Sequence, residues 1–373
     1  MDADRRRRNV STYRIAGIAG PCDRISLDRL SGCRGATLRP GLSRGEGADL
    51  RTATAGDDRL AQVDGPLQLL DHRSLDGRHP ASARFSRLSG QALHGGDFGS
   101  LCDAYHELTE AIPRQEQLGS DETCFKNNGK KHWIWCITAA AFSVFHIAST
   151  RSREVLEKLV GVEFAGYLNL DYFSANCSFA WNFWVKAQYC WAHLIRDIRF
   201  LEKHPDSRTR DWGERLLDRS RRMFSAWHRR DEMTAEGVRR SMLIHRDRFL
   251  ELVRNPPSTK EAANLAARFA VVEYIDEASS ERGWYDLSED YFRFMFADGI
   301  EPTNNHNEQQ LRHCVMDRRI TQGTRGESGQ RYHERMWTAI ATCKKQDRNF
   351  FIFLQDSITA KLRDCKAPSL LPG

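Results

Sequence analysis

Three features that mark other protein classes are missing from this 373-residue chain. None of its ten cysteines forms a Cys-x-x-Cys pair, so nothing indicates a disulfide scaffold or a zinc ribbon. No apolar run approaches the roughly 20 residues that a membrane-spanning helix needs. The arginines at positions 5–8 are not followed by the apolar region of a signal peptide. We therefore expect a soluble protein of a reducing, intracellular compartment, neither exported nor embedded in a membrane.

Lysine and tryptophan are absent from the first part of the chain. The first lysine is Lys126, and the first tryptophan is Trp133. Residues 1–99 are instead rich in Arg, Gly, Ser and Asp, and they show neither a 3.6-residue nor a two-residue apolar period. Such a segment buries too little apolar surface to offset chain entropy, so we expect it to be disordered or poorly packed. Two interpretations stay open: a flexible basic arm that touches DNA, or a stretch translated out of the ancestral frame.

The bulk composition permits a folded core and a polyanionic partner. Hydrophobic residues make up 40% of the chain, which is enough for a core in more than one domain at this length. The formal charge of +6 is modest. It therefore allows nucleic acid as a partner without requiring it.

A hairpin is the first element that the sequence predicts clearly. Asn128-Gly129 is the favoured two-residue turn, so residues 121–126 should pair antiparallel with residues 131–138. A third strand at 142–148 would extend this meander. Residues 115–120 are polar, so we expect the strand edge that carries Asp121 to be weakly held.

A crossover helix at 153–160 should lead into a strand at 166–170. A right-handed return places this strand parallel to the first one and beside it. Asp121 and Asp171 would then lie on neighbouring strands. A fifth short strand is expected at 188–191.

The pattern becomes charged and helical over residues 205–285, which indicates an all-helical insertion. Pro302-Thr303 then supplies a stop and a capping side chain for a helix that begins near Asn304. On that helix Glu308 falls on the apolar stripe. A carboxylate that faces inward must be paired or bind a metal.

Three acids from three separate elements, Asp121, Asp171 and Glu308, predict a metal site. A hard dication such as Mg²⁺ takes oxygen ligands, and a site for phosphate chemistry uses a few carboxylates and leaves positions for water and substrate. For any single acid the alternative is an ordinary surface charge.

A series of short motifs follows the chain in a fixed order. They are Asp121-Glu122-Thr123, Trp133-x-Trp135, Asp171-Tyr172-Phe173-Ser174-Ala175, Cys190-Trp191-Ala192-His193-Leu194-Ile195-Arg196-Asp197, Pro302-Thr303-Asn304-Asn305-x-x-Glu308, Arg318-Arg319-Ile320-Thr321-Gln322-Gly323-Thr324-Arg325 and Thr342-Cys343-Lys344-Lys345-Gln346. Over about residues 100–372 the chain resembles the bacterial insertion-sequence-66 family of DDE transposases. Several motifs in order are far more specific than any one of them.

The resemblance implies an α/β fold: a ribonuclease-H-like mixed sheet with an all-α insertion domain. The composition of the N-terminal segment adds the expectation that it is poorly ordered. The expected segments are 1–99 (disordered or out of frame), 100–201 (first part of the core), 202–290 (helical insertion), 291–362 (second part of the core) and 363–373 (tail). The 137 residues between Asp171 and Glu308 exceed what a connecting loop needs, which independently favours an insertion.

The resemblance also implies a mechanism in which Asp121, Asp171 and Glu308 are catalytic and bind metal. Two Mg²⁺ ions, roughly 3.5 to 4 Å apart and replaceable by Mn²⁺, would support strand cleavage at the element ends and strand transfer into target DNA. The expected partner is double-stranded DNA, bound by a homo-oligomer in the bacterial cytoplasm at the nucleoid. The candidate DNA-binding residues are Arg312, Arg318, Arg319, Arg325, Lys344 and Lys345.

Two other functions stay open: a ribonuclease-H-like metal nuclease without strand transfer, and a catalytically inactive DNA-binding remnant. Glu122 and Asp197 are interpreted as structural acids. Cys190 and His193 could begin a zinc site, but zinc needs about four ligands and no matching pair follows, so packing in the core is the favoured interpretation.

Overall fold

A five-stranded mixed sheet lies at the centre of the structure, a computed structural model that describes residues 99–275 and 282–371. Its strands are β1 (Gln117–Asn127), β2 (Lys130–Thr138), β3 (Ser143–Ala148), β4 (Tyr167–Leu170) and β5 (Lys186–Tyr189), in the order β3-β2-β1-β4-β5. The first three strands form an antiparallel meander, while β4 runs parallel to both β1 and β5. The predicted mixed α/β fold is therefore confirmed. The expectation for residues 1–99 falls outside the described residues, apart from Gly99.

The hairpin turn follows directly from two residues. Asn128 and Gly129 both adopt positive φ, at 50° and 71°, which is the backbone of a tight two-residue turn between twisted strands. Asp121 does not lie on an edge strand of the sheet. β1 is the central strand and is hydrogen bonded on both sides, because β4 returns in parallel beside it.

Helices cover the sheet and continue beyond it. They are α1 (Cys102–Ala111), α2 (Arg153–Leu159), α3 (Ser174–Asn182), α4 (Trp191–Leu201), α5 (Ser207–His228), α6 (Ala235–Val253), α7 (Lys260–Ala266), α8 (Glu289–Phe292), α9 (Asn305–Thr321), α10 (Glu327–Lys345) and α11 (Phe350–Leu362). None of the helices in the described ranges has both the length and the apolar character that crossing a bilayer would require.

The segment between α4 and α8 is mainly helical, and it also contains a hairpin. Asp206 and Thr234 cap α5 and α6 by accepting from backbone N–H groups three residues on, at 2.8 and 3.2 Å. The hairpin consists of β6 (Val271–Ile275) and β7 (Arg282–Asp286). The expected all-helical insertion did not include this hairpin, although β-branched and aromatic residues dominate β6.

Two apolar clusters hold the layers together. On one side, side chains of the meander pack against α9 and α10; this cluster is Phe125, Ile134, Cys136, Phe145, Ile147, Leu311, Cys314, Trp337 and Ala341. The larger cluster contains residues of β4, β5 and the helices from α1 to α8. At its centre Trp191 is fully buried, with ring centroids 5.3 Å from those of Phe249 and Phe292. The start of α4 is thereby fixed to the helical segment.

Side chains of α10 cover the free edge of β3. Three buried backbone N–H groups donate to them: Ser143 to Thr342 Oγ1 at 3.2 Å, Phe145 to Thr338 Oγ1 at 3.0 Å, and Ile147 to Glu334 Oε1 at 2.6 Å. The acceptors are four residues apart, so they share one helix face, and the donors are alternate residues of one strand. The helix thus takes the place of a sixth strand at an edge that would otherwise be unsatisfied.

Candidate active site

Asp121 on β1 and Asp171 just after β4 stand level with each other at two adjacent parallel strands. The register pairs Gly119 of β1 with Asn169 of β4, and Asp171 follows β4 directly. Asp121 and Asp171 each come two residues after this pair, so their side chains lie on the same side of the sheet.

Asn304 attaches the start of α9 to these strands. Its Nδ2 donates to the carbonyl of Ser120 at 2.8 Å, and its backbone N–H donates to Cys190 Sγ at 3.1 Å. The side chain is fully buried. Because Ser120 precedes Asp121, this residue ties the helix to the site, and Glu308 lies one turn further along α9.

Two more contacts fix the approach of the helix. Asn169 Nδ2 donates to the carbonyls of Glu301 at 2.9 Å and Thr303 at 3.2 Å, so β4 holds the chain just before α9. A Cβ at Gly119 would lie 1.8 Å from Asn307 Nδ2. Glycine is therefore what allows α9 to lie this close to β1.

His193 lies between the second and third acids. Its Nδ1 is 2.9 Å from Asp171 Oδ1, and its Nε2 is 3.9 Å from Glu308 Oε1. The adjacent Asp171 carboxylate and Cys190 thiol raise the pKa of His193 to about 10, against the opposing effect of burial. An imidazolium at this position neutralises part of the acidic cluster.

Sequence reasoning placed His193 in the core and missed this contact. The available signal was the position of the residue: α4 follows β5, which is the parallel neighbour of β4. A side chain in the first turn of α4 therefore reaches the sheet edge at which Asp171 stands.

Asp121 is in an unfavourable environment for a negative charge. Burial, followed by the charges of Asp171 and Glu122, raises the pKa of Asp121 to about 8, and Glu308 adds a smaller effect in the same direction. Acids that folding holds together in this way require a compensating positive charge. Their carboxylate oxygens are donors that Mg²⁺ or Mn²⁺ accepts, so the residues present fit such an ion.

A cleft of about 400 Å³ opens beside two of the acids. Asp121 and Glu308 line it together with Arg312 and Arg319, whereas Asp171 lies outside this lining and reaches Glu308 through His193. The cleft thus combines carboxylates with two exposed guanidinium groups.

A second, basic cleft of about 440 Å³ adjoins the end of the β1–β2 hairpin. Lys126, Lys131, Arg318 and Arg319 line it, so Arg319 borders both clefts. Arg318 is partly engaged within the chain, because it donates to Thr123 Oγ1 at 2.9 Å and to the Cys124 carbonyl. The remaining guanidinium and ammonium groups form a positive surface next to the acids.

The other three candidate cations lie elsewhere. Arg325 and Lys344 are exposed and line neither cleft. Lys345 donates to the carbonyl of Ala139 at 2.5 Å, and burial lowers its pKa to about 8. The structure therefore groups Arg312, Arg318 and Arg319, but not Arg325, Lys344 and Lys345.

Glu122 and Asp197 both make ion pairs. Glu122 is buried and accepts from Arg151 Nε at 2.6 Å, and Asp197 accepts from Arg268 Nη1 at 2.7 Å. These contacts agree with the structural interpretation of both acids.

The central five-stranded mixed sheet and the helices around it are consistent with the ribonuclease-H-like fold of DDE transposases. The sequence model described as Transposase IS66 family matches residues 92–332, a span that includes all three acids. Since this is more than half of the chain, the protein belongs to the IS66 transposase family. Searches of curated proteins and of solved structures gave no match.

Proposed function

We propose that the protein is a metal-dependent transposase, which cuts DNA at the ends of its mobile element and joins the freed 3′ hydroxyl to target DNA. The observation that supports this proposal is that Asp121 shares a cleft with Glu308 and lies within electrostatic reach of Asp171, in a member of the IS66 family. Both steps are displacements at phosphorus, for which a protein mainly positions groups and stabilises charge.

In this proposal Asp121, Asp171 and Glu308 hold two Mg²⁺ ions, which Mn²⁺ can replace. When bound, the ions activate the attacking oxygen and stabilise the charge on the phosphate. The chain itself keeps the carboxylates together: Asn304 and Gly119 position α9, and β1 and β4 carry the aspartates. His193 would balance part of their charge.

The positive surface beside the acids is the proposed path of double-stranded DNA. Arg312 and Arg319 would contact phosphates next to the acids, and Arg318 would do so in the basic cleft. Arg325, Lys344 and Lys345 would contribute at a greater distance. We further propose that residues 202–290 are an insertion in the core, and that a homo-oligomer acts on paired element ends at the bacterial nucleoid.

Asp171→Asn tests the proposed site. With Mg²⁺ and a DNA substrate that carries an element end, the variant should lose cleavage, whereas its DNA affinity should stay unchanged or rise because a negative charge is removed. Asp197→Asn is the matched control, since the same substitution at an acid paired with Arg268 should preserve cleavage. Retained cleavage in Asp171→Asn would refute the site.

A strand-joining assay distinguishes a transposase from the two alternative functions, a metal nuclease and an inactive DNA-binding remnant. A pre-cut donor end and a supercoiled target plasmid should yield joined products with the wild-type protein. Cleavage without joining would instead identify a nuclease. DNA binding without cleavage in either Mg²⁺ or Mn²⁺ would identify a non-enzymatic remnant.

A further inference from the structure

Three side chains with different donor atoms meet at the carboxyl ends of β4 and β5. A carboxylate oxygen of Asp171, Sγ of Cys190 and a ring nitrogen of His193 all lie within 4.8 Å of one another. We propose that these residues form a binding site for a borderline-soft dication such as Zn²⁺, which shares only Asp171 with the proposed magnesium site.

The donor set is what discriminates between metals. Zn²⁺ is bound by thiolate, imidazole and carboxylate together, and sites with three protein ligands leave a fourth position for water or substrate. Mg²⁺ is a hard ion that selects oxygen donors and uses neither sulfur nor, as a rule, imidazole. The sequence alone offered the Cys190 and His193 pair with no further ligand. The fold supplies Asp171 as the third.

Contacts around the cluster hold its ligands in place. Cys190 Sγ already accepts the backbone N–H of Asn304 at 3.1 Å, and the backbone N–H of Trp191 donates to the carbonyl of Pro302 at 2.9 Å. Hydrogen bonds of this kind orient ligands and tune their donor strength. The position of the sulfur is therefore set by the same segment that positions α9.

Access to the cluster is from the side of the two polar ligands. Cys190 is 1% exposed, whereas the side chains of His193 and Asp171 are 26% and 21% exposed. An ion would thus approach past the imidazole and the carboxylate, with the thiol behind them.

Asp171 is shared between this cluster and the proposed magnesium site. Zn²⁺ bound to Asp171, Cys190 and His193 removes one oxygen ligand from Mg²⁺, so zinc should inhibit cleavage in competition with magnesium. This consequence rests on the proposed function, whereas the binding of the soft ion does not.

Cobalt titration of the metal-free full-length protein tests the binding. Co²⁺ occupies zinc sites and gives a thiolate-to-cobalt charge-transfer absorption band when a cysteine is a ligand. We expect this band to saturate at one equivalent and to disappear when Zn²⁺ is added. The absence of a saturable band would overturn the proposal.

Variants identify the ligands. Cys190→Ser should abolish the charge-transfer band, and His193→Asn should weaken Co²⁺ binding by on the order of ten-fold or more. Cys124→Ser is the control, because this exposed thiol lies outside the cluster and the variant should keep the band. A band that persists in Cys190→Ser or is lost in Cys124→Ser would contradict the assignment. If Cys190→Ser does not fold, the cobalt affinity of His193→Asn decides.

A cleavage assay then tests the consequence separately. At fixed Mg²⁺, added Zn²⁺ should inhibit the wild-type protein, and a higher Mg²⁺ concentration should relieve the inhibition. Saturable cobalt binding without zinc inhibition would refute the competition and leave the site standing. If Mg²⁺ alone supports no cleavage, the proposed function fails, and the cobalt result still decides the site.

Discussion

Replacing Thr338 by valine should destabilise the sheet edge without leaving a hole. Thr338 is 1% exposed, and its Oγ1 accepts the backbone N–H of Phe145 at 3.0 Å. Valine keeps the branched shape at Cβ but has no acceptor. Within the described residues no backbone strand lies beyond β3 to take over this hydrogen bond, because β3 is the last strand of the five-stranded sheet.

The expected loss of stability follows from the Phe145 N–H group, which would stay buried without an acceptor. An N–H group left buried without a partner costs about 1 to 3 kcal/mol, and a substitution of equal shape adds little through packing. We therefore expect Thr338→Val to lower the free energy of unfolding by about 1 to 2 kcal/mol.

Urea denaturation of the full-length chain measures this difference. The midpoint should fall while the slope stays constant, because the same surface is exposed on unfolding. Amide hydrogen exchange gives the local readout: the Phe145 N–H should lose protection in Thr338→Val and keep it in Thr338→Ser, which retains the hydroxyl.

An unchanged midpoint, together with full protection of the Phe145 amide, would refute the view that side chains of α10 complete the sheet. Equal loss of protection in the valine and serine variants would also contradict it. In that case keeping the hydroxyl would not preserve the protection, so the hydrogen bond from Phe145 to Thr338 would not be its source.

Three further predictions concern the site and the edge. Asp121→Asn should raise the melting temperature of the metal-free protein and remove its stabilisation by Mg²⁺, because burial and neighbouring acids raise the pKa of Asp121 to about 8; thermal melts with and without Mg²⁺ measure both effects. Gly119→Ala should lower the free energy of unfolding in urea by about 1 to 3 kcal/mol, since the new Cβ would meet Asn307. Burial alone would raise the pKa of Glu334. Hydrogen bonds from His146 and the β3 backbone outweigh this effect and lower the pKa of Glu334 below its ordinary 4.5. The stability that this shift supplies is present above pH 4.5 and is lost as the pH falls through the lower folded value, so wild-type protein and Glu334→Gln should converge in melting temperature in acid.

The meander could be predicted because its determinants are local. Asn128-Gly129 requires the backbone of a tight turn, and the alternating residues after it specify the pairing of β1 with β2. The parallel position of β4 followed from the handedness of crossovers, which also placed Asp171 beside Asp121.

The features that could not be predicted from the sequence depend on contacts between residues far apart in the chain. Glu334 meets Ile147 across 187 positions, and no periodicity in either segment indicates the partner. The same holds for His193, whose neighbours Asp171 and Glu308 come from different elements. Patterns reveal which face of an element is apolar, but not which polar groups on other elements will meet it.

The polar residues before Asp121 show how such a contact changes an interpretation. From sequence they indicated a weakly held strand. In the structure Gly119 leaves room for Asn307, and the carbonyl of Ser120 accepts from Asn304 at 2.8 Å. Larger apolar residues at position 119 would push α9 away and carry Glu308 with it. The absence of a side chain at position 119 is therefore a condition for bringing Glu308 to the sheet.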